Sequence, residues 1–145
     1  EASTEYHKKH LKLIKDYITE HNLEDNVTLH VNCKPKNMAD FYRNADLFIL
    51  PSTGEFASVS QLEAMSYSLP VIISDTNGTS CYIENGKNGY LFQDMAESNL
   101  EEQLLSLPSS KEDILSFGAY SYQMVVKKYN FTNYKKSLEM LIRPL

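Results

Sequence analysis

The sequence predicts an α/β domain with a Rossmann-like open parallel sheet and flanking helices, on two observations. Two short, continuous apolar runs, Leu47–Leu50 and Val71–Ile73, are each bounded by turn or breaker residues. That is the pattern of strands buried inside a parallel sheet. Segments with helical spacing of apolar residues lie before, between and after them, the alternation that parallel strands with crossover helices require. No glycine precedes Gly54, so the G-x-G-x-x-G fingerprint is absent, which argues against a nicotinamide dehydrogenase.

The elements follow in order. Residues 5–22 carry Leu11, Leu13, Ile14, Tyr17 and Ile18 at the spacing of an amphipathic helix. His21-Asn22 closes it and Asp25-Asn26 makes a turn. Val27-Thr28-Leu29-His30-Val31 alternates and is β-branched, so it predicts a strand. Asn37 is placed to cap a helix through Met38, Phe41 and Tyr42. Leu47–Leu50, ended by Pro51, predicts a strand buried on both faces. A helix is expected from Ser58 to about Tyr67. Pro70 then opens the strand Val71-Ile72-Ile73, acceptable as a first strand residue. Turns are expected at Asn77-Gly78 and across Asn85–Gly89, with a short strand at Tyr90-Leu91-Phe92. Helices over 97–106, 110–127 and 131–142 finish the chain, separated by Pro108 and Asn130. The chain starts directly in a helix, so the first strand of an open α/β lobe is expected to be missing from it. With no repeat, low-complexity tract or linker, residues 1–145 read as a single domain.

Bulk properties narrow the function classes. A length of 145 residues is enough to bury a core without staples. Net charge is -5, from 14 basic and 19 acidic residues, which argues against a nucleic-acid partner because such a surface needs a basic excess. A nucleotide ligand remains compatible, since a few backbone N–H groups hold a phosphate without much net charge. Cys33 and Cys81 form no CxxC and no disulfide framework. They read as reduced thiols of a cytoplasmic protein. The sequons Asn26–Thr28, Asn77–Thr79 and Asn130–Thr132 come with no signal peptide and are discounted as glycosylation sites. No apolar run approaches the roughly 18 residues that span a bilayer.

In open parallel sheets the ligand lies outside the carboxyl ends of the strands. Three loops are expected on that rim: Asn32–Lys36, Pro51–Ser58 and Ser74–Ser80. The middle one leads straight into a helix. Its Gly54 permits a sharp turn, and the small residues Ala57, Ser58 and Ser60 leave the main chain accessible. The free N–H groups of the helix start suit a diphosphate. Two carboxylates, Glu55 and Glu63, bracket this element with seven residues between them. A structural alternative stands beside this reading. Ser60-x-x-Glu63 and Ser58-x-x-Gln61 are both capping-box patterns, which would make Glu63 a capping partner and Glu55 a solvated loop charge.

The stretch ADLFILPSTGEFASVSQLEAMSYSLPVIISD, followed by Asn77-Gly78 and ENGKNGYLF, resembles the second lobe of the retaining glycosyltransferase family 4 (group 1), of GT-B architecture. Glu55 and Glu63 stand as the family's E-x7-E motif. The preceding VTLHVNCKPKNMADFYRNADL resembles the family's strand, loop and helix leading into it, so the likeness covers about residues 24–93. The resemblance implies a C-terminal, donor-binding lobe of a two-lobed enzyme. That enzyme would transfer a sugar from a nucleotide-diphospho-sugar with retention of configuration. It implies that Glu63 accepts hydrogen bonds from the donor's ribose hydroxyls, while Glu55 contacts the donor sugar as the catalytic group. Phe56, Ala57, Ser58 and Val59 would offer backbone N–H groups to the diphosphate, and Cys33 and Lys34 would lie near the nucleobase. It implies no cofactor and no metal, with electrostatic stabilisation of the departing diphosphate as the main catalytic contribution. A glycan or lipid-linked acceptor would bind to the missing N-terminal lobe, so this chain alone is expected not to turn over.

The sequence departs from the family pattern at Ala57 and Ser68, where members commonly have Gly. It also departs at Asn77-Gly78-Thr79-Ser80, which only partly matches a Gly-rich turn. The alternative functions are a non-catalytic nucleotide- or carbohydrate-binding lobe, or a sugar-nucleotide epimerase of the same architecture; nothing suggests a phosphorylase lysine. Elsewhere, His7 and His10 lie three apart on a helix but gain no further ligand at helical spacing, so they read as a solvated face. His30 reads as a structural, outward strand residue. Tyr120, Tyr122, Tyr129 and Tyr134 read first as packing surface. With Lys127-Lys128 and Lys135-Lys136 nearby, a peripheral contact with the inner face of the membrane is the second reading.

Overall fold

The computed structural model describes residues 4–142. Its contacts divide the chain into two compact units, one ending at Asp40 and one beginning at Phe41.

The first unit is led by α1 (Glu5–Glu20). Thr4 caps it, its hydroxyl accepting from the His7 N–H at 3.3 Å. Lys12 donates to Asp16 one turn on, at 2.6 Å, and Ile18 is its buried residue. Residues 27–31, expected as a strand, pair with no other strand among the described residues. Val27, Leu29 and Val31 are 39%, 37% and 46% exposed. The alternation is real, but a strand exists only where a second backbone completes its ladder, and no local pattern supplies that partner. His30 therefore lies in irregular backbone and not in a strand. The next helix, α2 (Pro35–Asn44), starts two residues before the expected cap. Asn37 is inside it, and Pro35 takes the first helical position, where its missing N–H costs nothing.

The second unit is built on three parallel strands in the order β1 (Phe48–Leu50), β2 (Val71–Ser74) and β3 (Gly89–Phe92). Phe48 pairs with Val71, and Val71 with Gly89. Between the strands lie α3 (Val59–Ser66) and a 3-10 turn, Ser80–Tyr82. Beyond them come α4 (Glu97–Leu105), α5 (Lys111–Lys127) and α6 (Phe131–Ile142). Every residue of the central β2 is buried. The outer β1 is only half-buried, with Ile49 37% exposed. The expectation of burial on both faces thus holds for Val71–Ile73 and fails for Leu47–Leu50. An apolar run does not reveal whether its strand sits at the centre or the edge of a sheet.

Side chains alternate across β2, so Val71 and Ile73 share a face. They meet Met65 of α3, Ile83 and Met124 of α5 in the core, with Phe48, Leu50, Leu91, Tyr120 and Tyr129 packed around it. Tyr120 and Tyr129 thus serve as packing surface, while Tyr122 and Tyr134 are 47% and 64% exposed. Helix α3 packs against β1, β2 and α5, and α4 against β3.

The two ends of α3 are set by different chemistry. Ser58 caps the start, its hydroxyl accepting from the Gln61 N–H at 3.3 Å. At the other end, Leu69 N–H donates to Ala64 O at 3.2 Å and Ser68 N–H to Met65 O at 3.1 Å. This paired arrangement is a Schellman motif, whose turn residue must be left-handed. Ser68 is that residue, at φ 60°, which is why glycine is the natural occupant of its position. Across from it, Gly118 of α5 has no room for a side chain: a Cβ there would lie 2.0 Å from Ser68 O.

Candidate functional site

The carboxyl end of β1 feeds the loop 51–58, and the carboxyl end of β2 feeds the turn 75–79. Hydrogen bonds bind the two segments together. Gly78 N–H donates to Glu55 O at 2.8 Å. The Ser74 hydroxyl donates to Ser52 O at 2.8 Å. Gln61, fully buried, reaches from α3 to donate from Nε2 to Thr79 O at 3.2 Å. The Thr79 hydroxyl lies 2.5 Å from Gln61 Oε1 and 2.6 Å from Asn77 Oδ1. Its single proton serves one of them at a time. Gly78 lets this happen, since a Cβ on it would stand 2.0 Å from Phe56 O. Two buried polar atoms, Ser52 Oγ and Asn77 Nδ2, have no partner among the described residues. Burial of Asn77, at 1% exposed, also removes it as a glycosylation site.

This bracing shapes the segment entering α3. Glu55 is half-buried. Phe56 is 94% exposed and Val59 67%, and Ala57 is exposed too. The backbone N–H groups of Phe56, Ala57, Ser58 and Val59 have no hydrogen-bond partner among the described residues. Orphan donors at a helix start, with the helix dipole behind them, form a positive patch without a positive side chain. Ala57 is not left-handed, so the fold tolerates a methyl group where glycine was expected.

Glu63 is exposed on α3. It is not a capping partner. Ser60 turns its hydroxyl to Ser58 at 2.9 Å, and the Glu63 carboxylate instead accepts from the Tyr42 hydroxyl at 2.9 Å. The other expected capping box is half made, because Gln61 spends its side chain on Thr79. Tyr42 is buried, its ring stacked on Tyr67 at 5.5 Å and tilted against Phe48 at 6.1 Å. Burial and the adjacent Glu63 carboxylate push its hydroxyl up to about 12, so Tyr42 is a proton donor throughout the neutral range.

Glu55, Phe56, Ala57, Ser58, Val59 and Glu63 are thus carried on one loop-and-helix element. Cys33, half-buried, and Lys34, exposed, belong to the first unit. Sequence reasoning missed Tyr42, since nothing in its helical spacing signals a partner 21 positions away. It also read Gly78 only as a turn residue. A cleft of about 210 Å³ lies beside the loop, lined by Pro51, Thr53, Phe92, Met95 and Leu100. It is smaller than the roughly 300 Å³ at which ligand pockets begin. The His10 ring lies tilted against Tyr6, with ring centres 4.1 Å apart. Among the described residues no group of three or more His, Cys, Asp or Glu could hold a metal, and no helix is long and apolar enough to cross a membrane.

Residues 7–124 match the family model for glycosyl transferases group 1. The chain belongs to that family. The spore coat protein SA of Bacillus subtilis is 31% identical over 118 residues, covering 79% of this chain and 31% of that protein. The poly(ribitol-phosphate) alpha-N-acetylglucosaminyltransferase of Staphylococcus aureus is 30% identical over 120 residues, covering 81% of this chain and 24% of that enzyme. The chain therefore spans less than a third of these relatives. Among solved structures, Anabaena HepE in complex with UDP superposes with a TM-score of 0.82 at 18% identity, over 95% of this chain and 38% of that chain. The open parallel sheet with flanking helices is the Rossmann-like lobe of the GT-B glycosyltransferases.

Proposed function

We propose that this chain is the donor-binding lobe of a retaining glycosyltransferase, holding a nucleotide-diphospho-sugar on the rim formed by the loop 51–58 and α3. The observation that carries the reading is the braced entry to α3, where four unpaired backbone N–H groups and the exposed Glu63 carboxylate share one rigid element. The N–H groups of Phe56, Ala57, Ser58 and Val59 take the diphosphate. As the sugar leaves, negative charge grows on that diphosphate, and fixed dipoles aimed at it lower the barrier without reorganising. Glu63 accepts from the ribose hydroxyls, as an ionised carboxylate with several acceptor sites does well. Glu55 orients the sugar and offsets positive charge at the anomeric carbon. Cys33 and Lys34 are assigned to the nucleobase. Catalysis needs no metal on this reading. HepE was solved with UDP and with UDP-glucose, which supports a donor of this class here. The acceptor, a glycan or a lipid-linked saccharide, is assigned to the part of such an enzyme that this chain does not span.

Calorimetric titration of the full-length protein with UDP, GDP and ADP tests the assignment. One diphosphate is expected to bind, and Glu63→Ala to weaken it at least tenfold. Binding of that diphosphate unchanged in Glu63→Ala would remove Glu63 from the site; silence toward all three would make the lobe a structural one.

A further inference from the structure

An exposed glutamate acts as a precise receptor only if its carboxylate is held in place. A free Glu side chain samples many rotamers, and ordering it on binding costs free energy. Here the carboxylate is already held on one side. Tyr42 donates to Glu63 Oε2 at 2.9 Å, and Tyr42 itself cannot swing away. Its ring is 5% exposed and stacked on Tyr67, whose own position is set by the C-cap of α3. Arg43 lies over the Tyr67 ring, 5.6 Å from its centre.

We infer that Tyr42 is a positioning residue for Glu63. Its hydroxyl occupies one acceptor site on Oε2 and leaves Oε1 for the vicinal 2′- and 3′-hydroxyls of the donor's ribose. The inference rests on the donor reading above. A carboxylate has about four lone-pair sites, so the tyrosine takes one and leaves enough for two further donors. A phenol suits the task because it is a neutral donor. It orients the carboxylate without the strong attraction of a cation, which would compete with the ribose for the same oxygens. Raised to about 12, it keeps its proton wherever the enzyme works.

The test separates a positioning role from a structural one by asking what the ligand's diol is worth. UDP, GDP and ADP are each titrated into the full-length protein beside their 2′,3′-dideoxy counterparts. The ratio of the two dissociation constants measures recognition of the diol. Tyr42→Phe keeps the ring and removes only the hydroxyl. It is expected to lower that ratio at least fivefold while leaving the dideoxy affinity within twofold. Tyr67→Leu removes the stacked neighbour, keeps the hydroxyl and is expected to lower the ratio by a smaller factor. In a Glu63→Ala background, Tyr42→Phe is expected to change the ratio no further. Equal weakening of both nucleotides in Tyr42→Phe would overturn the inference, since a structural role predicts that result. A ratio near one in the unmodified protein would sink the ribose assignment of Glu63 itself, and the role of Tyr42 with it.

Discussion

Both ends of α3 depend on a glycine of another segment that lets two backbones touch, yet the two ends do different work. At the start, Gly78 lies against Phe56 O; at the end, Gly118 lies against Ser68 O, and each approach would put a Cβ 2.0 Å from the carbonyl oxygen. Gly118 is buried within a 17-residue helix that packs against α3 and also buries Ser121 and Met124. Gly78 is exposed on a turn, tied down by one N–H bond to Glu55 O and by the buried Gln61–Thr79–Asn77 cluster. The first contact holds the molecule together. The second holds the shape of the rim. Steric intrusion costs most where neighbours cannot move. The same clash should therefore be read as lost stability at one end and as lost binding at the other.

The largest effect is expected from Gly118→Ala. In an open helix that change would stabilise by about 1 kcal/mol. Here the methyl group must push α5 off the turn at Ser68, and overpacking of this kind costs about 3 kcal/mol. Denaturant unfolding should show the loss, with nucleotide affinity in the remaining folded protein unchanged. Gly78→Ala comes next. The exposed turn can shift, so its stability cost should be about 1 kcal/mol. The shift displaces Phe56 and its neighbours, however, and affinity for the diphosphate should fall at least tenfold by calorimetry. A stability loss at Gly78 equal to that at Gly118 would erase the distinction between the two ends. The smallest effect runs the other way. Ser68→Gly relieves a non-glycine residue at φ 60°, and the relief, partly offset by the entropy of an added glycine in the unfolded chain, should raise stability by about 0.5–1 kcal/mol. Thermal melting would detect it. No gain would mean that the Ser68 side chain compensates for its strained backbone.

Much of the site was legible before the fold was known. Ser58 as the start of α3, Pro70 before β2 and the loop 51–58 are all local signals, and the structure has them at those positions. The sequence singles out Glu63, but the local alternative gives it a capping partner that the structure replaces with Tyr42. A capping box satisfies the pattern on paper, yet Tyr42 and Thr79 offered Glu63 and Gln61 better-placed partners from elsewhere in the chain. The failed strand at residues 27–31 has the same cause. Its alternation describes what the segment could do beside another strand, and that neighbour is a tertiary matter.

By itself, then, the sequence determined the order and type of most elements, most of the helix boundaries and the family. These depend on interactions within a few residues: apolar periodicity, caps, proline and glycine. Only the tertiary structure decided which apolar run became the buried centre of the sheet and which its half-exposed edge. It also decided that Gly78 and Gly118 are contact points, and that a tyrosine of α2 holds the glutamate of α3. Those outcomes depend on which surfaces meet in space, and a residue's neighbours across such a contact leave no mark on its own local pattern.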